Sequence, residues 1–215
     1  MTTRRRGRPR TFDRETTVRS AQRLIWEQGF EAMSLSRLEE AMGIRKSSLY
    51  SAFGSKLGLL DEAAQLYIAD FAKQKDERFS TIRSSLGRLE ALFELFATNF
   101  VASGRPPGCF LVSAAHSCSD DNAEAVKLLM IQRKSVAQMI LAEIETGVRA
   151  GEFVPETPVA PLVDFLVSVV YGMSVMARDG KSLNALRQTT VFATSILLRY
   201  VAPKPGPILD LAESS

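Results

Sequence analysis

Apolar residues recur along this chain every three or four positions, and no stretch alternates in the manner of a strand, which predicts an all-α fold. A first helix starts at Asp13, a good capping side chain, and runs to about Gln28, with Val18, Ala21, Leu24 and Ile25 inward and Gly29 as its stop. Two short amphipathic segments follow. Leu35 to Met42 sets Leu35, Leu38, Ala41 and Met42 on one face, with Ser34 as N-cap and Met33 stapling onto Leu38. Ile44 to Phe53 buries Ile44, Leu49 and Phe53 and turns Arg45, Lys46, Ser47, Ser48 and Ser51 outward. Gly43 sits between them, where a sharp turn needs positive φ; Gly54 ends the second segment, and Ser55 caps a longer helix from Lys56 to about Phe79.

The remainder is also helical. Leu86, Leu89, Phe93, Phe96 and Phe100 form one stripe, and Arg105-Pro106-Pro107-Gly108 breaks the chain behind it. A short segment, Cys109 to Ser117, precedes Asp121, which with Glu124 reads as a capping box for a long helix ending near Gly151. Val159 to Met176 and Leu183 to Val201 are the last two helices, separated by Arg178-Asp179-Gly180. Val159 to Met176 is apolar nearly all round, a pattern that a helix with one face in water does not carry. Asp164 interrupts it and it falls short of the roughly 20 residues of a membrane span, so it is read as a packed helix.

Charge divides the chain. Residues 1–60 carry 12 Lys/Arg against 6 Asp/Glu, a net of +6, while residues 61–215 carry a net of −3. A basic head on a mildly acidic body fits a polyanion-binding module joined to a part with another task. Four regions result: a disordered basic arm over 1–11, a compact head over 12–55, a larger helical body over 56–202, and a flexible tail over 203–215. The start, MTTRRRGRPR, lacks the apolar core of a secretory signal, and two cysteines are too few for a disulfide framework, so the cytoplasm, at the nucleoid, is expected. One histidine, no phosphate-cradling glycine loop and no nucleophile–base arrangement argue against an enzyme or a bound cofactor. Cys109, His116 and Cys118 offer three metal ligands without a fourth, so no metal site is assigned.

The stretch from Ser34 to Lys56 has the layout of a helix-turn-helix, its second helix rich in basic and hydroxyl side chains suited to a DNA major groove. It resembles the TetR family of one-component transcriptional regulators. The resemblance lies in the turn Gly43, the polar run Arg45 to Ser48, Leu49-Tyr50-Ser51-Ala52-Phe53 and Lys56, with Phe12 and Asp13 before and Trp26 to Phe30 behind. It covers about residues 11 to 67; beyond that it rests on length and helical layout. By this resemblance Ser34, Tyr50 and Lys56 hold the DNA backbone, and helix N-termini at Ser34 and Lys56 suit phosphate on physical grounds too. Base reading falls to Arg45, Lys46, Ser47 and Ser48, since Arg and Lys can bond G O6 and N7. Arg37 either touches the DNA backbone or pairs with Glu40. Arg8 and Arg10, flanking Pro9, suit a narrow minor groove or plain phosphate attraction. Glu39 departs from the family, where a small residue commonly packs against the recognition helix.

A single helix-turn-helix reads too few base pairs, so a homodimer on double-stranded operator DNA is expected. The resemblance assigns its interface to the last two helices. It also implies an effector pocket in the body, for which Phe93, Phe96, Phe100, Phe165, Val169, Met173 and Met176 are the candidate lining, although the same spacing describes an ordinary core. Cys109, after Pro-Pro-Gly and at a helix start, is a candidate thiol sensor, because a helix dipole lowers a thiol's pKa, although a lone buried cysteine is more often a small hydrophobe of the core. The expected function is a repressor released by a small-molecule or electrophile inducer; the alternative is a constitutive architectural DNA-binder without ligand control.

Overall fold

The computed structural model describes residues 13–115 and 118–203. The arm with Arg8 and Arg10, His116, and the tail beyond Pro203 therefore lie outside the described residues. Among the described residues the chain forms α1 (Arg14–Ala32), α2 (Leu35–Met42), α3 (Lys46–Phe53), α4 (Lys56–Phe79), α5 (Ser85–Phe100), α6 (Phe110–Ser113), α7 (Ala123–Arg149), α8 (Val159–Arg178) and α9 (Leu183–Ser195). An isolated bridge from Phe153 to Val201 is the sole extended pairing among them.

Local chemistry sets most of the boundaries. Asp13, Ser34, Ser55, Ser84 and Ser182 each accept a hydrogen bond from the backbone N–H three residues on, the N-cap arrangement that satisfies an orphan donor. Gly43 takes φ 63° and donates its N–H to the Glu39 carbonyl at 2.8 Å, closing α2 in the left-handed conformation that a residue with a Cβ adopts only at a cost.

Four boundaries differ from the sequence expectation. Gly29 does leave the helical path, at φ 82°, yet one more turn follows to Ala32. The body holds that turn: Phe30 is buried and its N–H donates to the Ala114 carbonyl at 3.0 Å. The recognition helix begins at Lys46, because Ile44 and Arg45 stay extended, and Ala41 of α2 faces solvent instead of the core. No capping box forms at Asp121; Asp120–Asn122 make a 3₁₀ turn, and Glu31 of α1 accepts from Ser119 N–H, Ser119 Oγ and Asn122 Nδ2 at 2.8–2.9 Å. The last helix stops at Ser195 and continues as a 3₁₀ turn, Ile196–Tyr200.

One core runs from head to body. Phe71 of α4 stacks on Phe96 of α5 with centroids 4.7 Å apart, and Phe93 and Phe100 flank Phe96. Such ring pairs add a small term to the burial of large apolar surfaces. Trp26 and Tyr67 join α1 to α4 edge-to-face at 5.3 Å. Helix α8 corrects the sequence reading twice. At 20 residues it is long and apolar enough to match a membrane span by length and composition. Nor is it covered on all sides: Leu162, Leu166, Val170, Met173 and Ala177 pack inward, while Phe165 and Val175 stand exposed.

Candidate nucleic-acid interface

The interface candidate is built from three helix starts. Leu38 of α2 and Leu49 and Phe53 of α3 are buried and fix the two helices against α1 and α4. That packing leaves Arg45, Lys46 and Ser47 exposed along the entry of α3, while Ser48 is half-buried. Tyr50 is also exposed, and the Lys46 Nζ lies 6.0 Å from its ring centroid, so the two form one patch on adjacent turns. Ser34 spends its side-chain oxygen as an acceptor for the Arg37 N–H at 3.2 Å, but it remains exposed at the start of α2.

One residue of the patch has a partner that the sequence reading does not name. Arg37 donates to Gln28 Oε1 rather than pairing with Glu40, which ties α2 back to the end of α1. Lys56 lies at the start of α4 with its Nζ 4.1 Å from the Phe30 ring centroid. Partial burial pulls its pKa below the ordinary lysine value, opposed by the nearby Glu31 carboxylate. The cation thus rests on an aromatic face, a position from which a phosphate could draw it out. Glu39 is half-buried and no cation pairs with it among the described residues.

The head is clamped to α4 along its length. Arg14 pairs with Glu62, Arg19 with Asp70 at 2.7 Å, and Gln22 donates to the Ala63 carbonyl at 2.8 Å. Exposed pairs of this kind each contribute little, but together with the buried α1–α4 contacts they orient the head. None of these partners was legible from spacing, since they lie 41 to 51 residues apart in sequence.

The candidate lining residues of the body take several different positions. Phe93, Phe100 and Met173 are fully buried core side chains, Val169 and Met176 are half-buried on α8, and Phe165 points outward. Phe96 borders an interior cavity, shared with Tyr67, Cys109, Val136, Met139 and Tyr171. Its free space is about 20 Å³, roughly one water.

Cys109 lies in surroundings that fit a buried core thiol. It does precede a helix, but α6 has four residues, and the thiol is buried against the cavity, with the Tyr67 hydroxyl 3.6 Å from its Sγ. Burial pushes its pKa up, and the Tyr67 hydrogen bond offsets this only in part. The dipole of so short a helix does not prevail. Because the thiolate is the nucleophile, iodoacetamide at neutral pH is expected to label the partly exposed Cys118 before Cys109. Peptide mass spectrometry over a time course checks the order; prior labelling of Cys109 would show that the protein opens at Tyr67.

Comparison with known proteins agrees with this geometry. The family described as bacterial regulatory proteins, tetR family, matches residues 18–63, and the tetracyclin repressor-like C-terminal domain matches residues 85–190. The chain is 34% identical to the HTH-type transcriptional repressor ComR of Escherichia coli strain K12 over 185 residues, covering 85% of this chain and 88% of ComR. It is 28% identical to the HTH-type transcriptional repressor BdcR of the same strain, over 87% of this chain and 90% of BdcR. Among solved structures, a cysteine mutant of the TetR family transcriptional regulator CifR, complexed with 26-bp double-strand operator DNA, superposes with a TM-score of 0.82 at 30% identity. That match covers 87% of this chain and 98% of the other.

Proposed function

Because this chain belongs to the TetR family of transcriptional regulators, we propose that it represses transcription by occupying an operator as a homodimer and leaves it when a small molecule binds. The observation that carries the reading is the division of labour on α3. Leu49 and Phe53 hold the helix in the core, and Arg45, Lys46 and Ser47 are free to meet base edges. Ser34, Tyr50, Lys56 and Arg37 surround them at positions suited to phosphate.

Dimerisation through α8 and α9 is supported by their shared outer face. Phe165 and Val175 of α8 and Val191 and Phe192 of α9 are all exposed, as is Leu198 in the 3₁₀ turn that follows, and large apolar side chains grouped at a surface mark an interaction site. Gly172 lies on the same side of α8 with nothing within 4 Å of where a Cβ would stand, which leaves room for another helix to approach closely. Release by ligand follows from linkage: an inducer that binds better when the heads are spaced wrongly for DNA lowers operator affinity by that difference.

A titration against the DNA upstream of the chain's own gene, beside a scrambled duplex at near-physiological salt, tests the reading. A specific regulator is expected to favour its operator by about 10³-fold or more. Equal binding would remove autoregulation at that site. If random-sequence selection then also returned no preferred site, the constitutive architectural alternative would replace the repressor.

A further inference from the structure

A cleft of about 430 Å³ opens where α1, α4 and the loop after α5 meet, within the size range of small-molecule sites. Among the described residues, two hydrogen-bond donors of its lining have no partner: the Trp26 indole Nε1–H and the Arg105 Nε–H. Both are buried, and Trp26 as a whole is only 5% exposed. Buried donors are expensive to leave unmade. The Arg105 guanidinium lies 5.8 Å from the Trp26 ring centroid, and its Nη2 donates to the Asn99 carbonyl at 2.7 Å. No carboxylate pairs with Arg105 among the described residues, because Asp70, the acid of the cleft, is held by Arg19 at 2.7 Å. Phe71 and Tyr67 supply an apolar wall beside these groups. The cleft therefore has donors and positive charge in excess, next to aromatic surface.

We propose that this cleft binds a small organic carboxylate, its oxygens accepting from Arg105 and Trp26 and its apolar part lying on Phe71 and Tyr67. A planar guanidinium is the side chain best matched to a carboxylate. Since both orphan donors are closed off, the ligand enters by lifting the guanidinium from the indole. The loop at Gly104 then moves against α1, to which the Arg23 Nη1 donor now ties the Gly104 carbonyl at 3.1 Å. α1 belongs to the DNA-binding head, so occupancy of the cleft reaches the heads directly. That last step rests on the ligand-controlled reading above; the binding itself does not.

Trp26 is the single tryptophan of the chain, so its emission and its one indole N–H resonance report on the cleft without DNA present. The probes are benzoate, phenylacetate and octanoate, with benzyl alcohol as the uncharged comparison, each titrated to about 10 mM, where weak fragment binding still registers. Saturable emission change and a moved indole resonance are expected with at least one carboxylate. Benzyl alcohol is expected to bind roughly tenfold more weakly or worse than benzoate, and Arg105→Gln to weaken the carboxylate by about tenfold or more, charged hydrogen bonds being the strong ones. Arg105→Lys, which keeps the charge but lacks Nε, is expected not to restore binding. The proposal is overturned if none of the three carboxylates saturates, if benzyl alcohol matches benzoate, or if Arg105→Gln, shown folded by its melting curve, binds as the parent does. Should that variant fail to fold, the indole resonance of the unaltered protein decides. A separate operator titration with the bound carboxylate present tests the ligand-controlled reading, so the two can fail independently.

Discussion

Replacing Arg45 by alanine is expected to cut operator affinity by roughly a thousandfold while changing affinity for random duplex less than about tenfold. Arg45 stands exposed just before α3, makes no side-chain cap and pairs with no carboxylate among the described residues, so its removal leaves the fold intact. A two-pronged contact to guanine discriminates by about 1–3 kcal/mol. In a homodimer the loss occurs at both half-sites, so about 2 kcal/mol becomes about 4 kcal/mol, close to a thousandfold. Random duplex loses only the attraction of one charge per subunit. Fluorescence anisotropy on both duplexes at one salt concentration measures the two effects side by side. Equal loss on each would reassign Arg45 to the phosphates and move base reading to Lys46 and Ser47.

Phe192→Glu is expected to convert the dimer to monomers and to abolish tight operator binding with it. Phe192 is 78% exposed and lies beside Val191, at 66%, on the outer face of α9. Burying one phenyl ring is worth about 1.5–3 kcal/mol, and a two-fold interface buries it twice. The substitution forfeits that gain and asks two carboxylates to enter an apolar contact, so the dimer constant should weaken by about three decades or more. Light scattering at micromolar concentration should then read near the chain mass of 23.7 kDa in place of twice that value. Separate heads lose the effective concentration that links two half-sites, and operator affinity falls with it. A variant that kept its dimer mass would place the interface elsewhere than α8 and α9.

The head was legible in the sequence because its signals are local. Ser34, Gly43, Gly54 and Ser55 each bond a neighbour three or four residues away, and the structure begins α2 and α4 and ends α2 and α3 at those residues. The start of α3 was misplaced by two residues because Ile44 keeps its apolar contact without being helical. In the body the same reasoning lost resolution. An aromatic stripe at helical spacing looks alike whether it faces a core or a ligand, and only packing from other helices shows that Phe93 and Phe100 are buried and that Phe96 borders a cavity. Phe165 faces out because α8 has two apolar sides, and composition cannot say which one the monomer covers. Spacing cannot choose between the two readings of Cys109, since the length of α6 and the hydroxyl of Tyr67, 42 residues away, decide its environment. The cleft at Trp26 and Arg105 is assembled from three segments with no common motif, so nothing in the linear pattern announces it.

The separation on α3 between Leu49 and Phe53, which face inward, and Arg45, Lys46 and Ser47, which stand exposed, has a consequence for descent. Changes at those three outward positions carry almost no penalty in stability, because surface substitutions generally stay within about 0.5 kcal/mol. A duplicated gene could therefore drift to a new operator through three codons while both copies remain equally well folded. Promoters and regulators of this kind can part company quickly, and the buried face of α3 will preserve the kinship long after the exposed face has lost it.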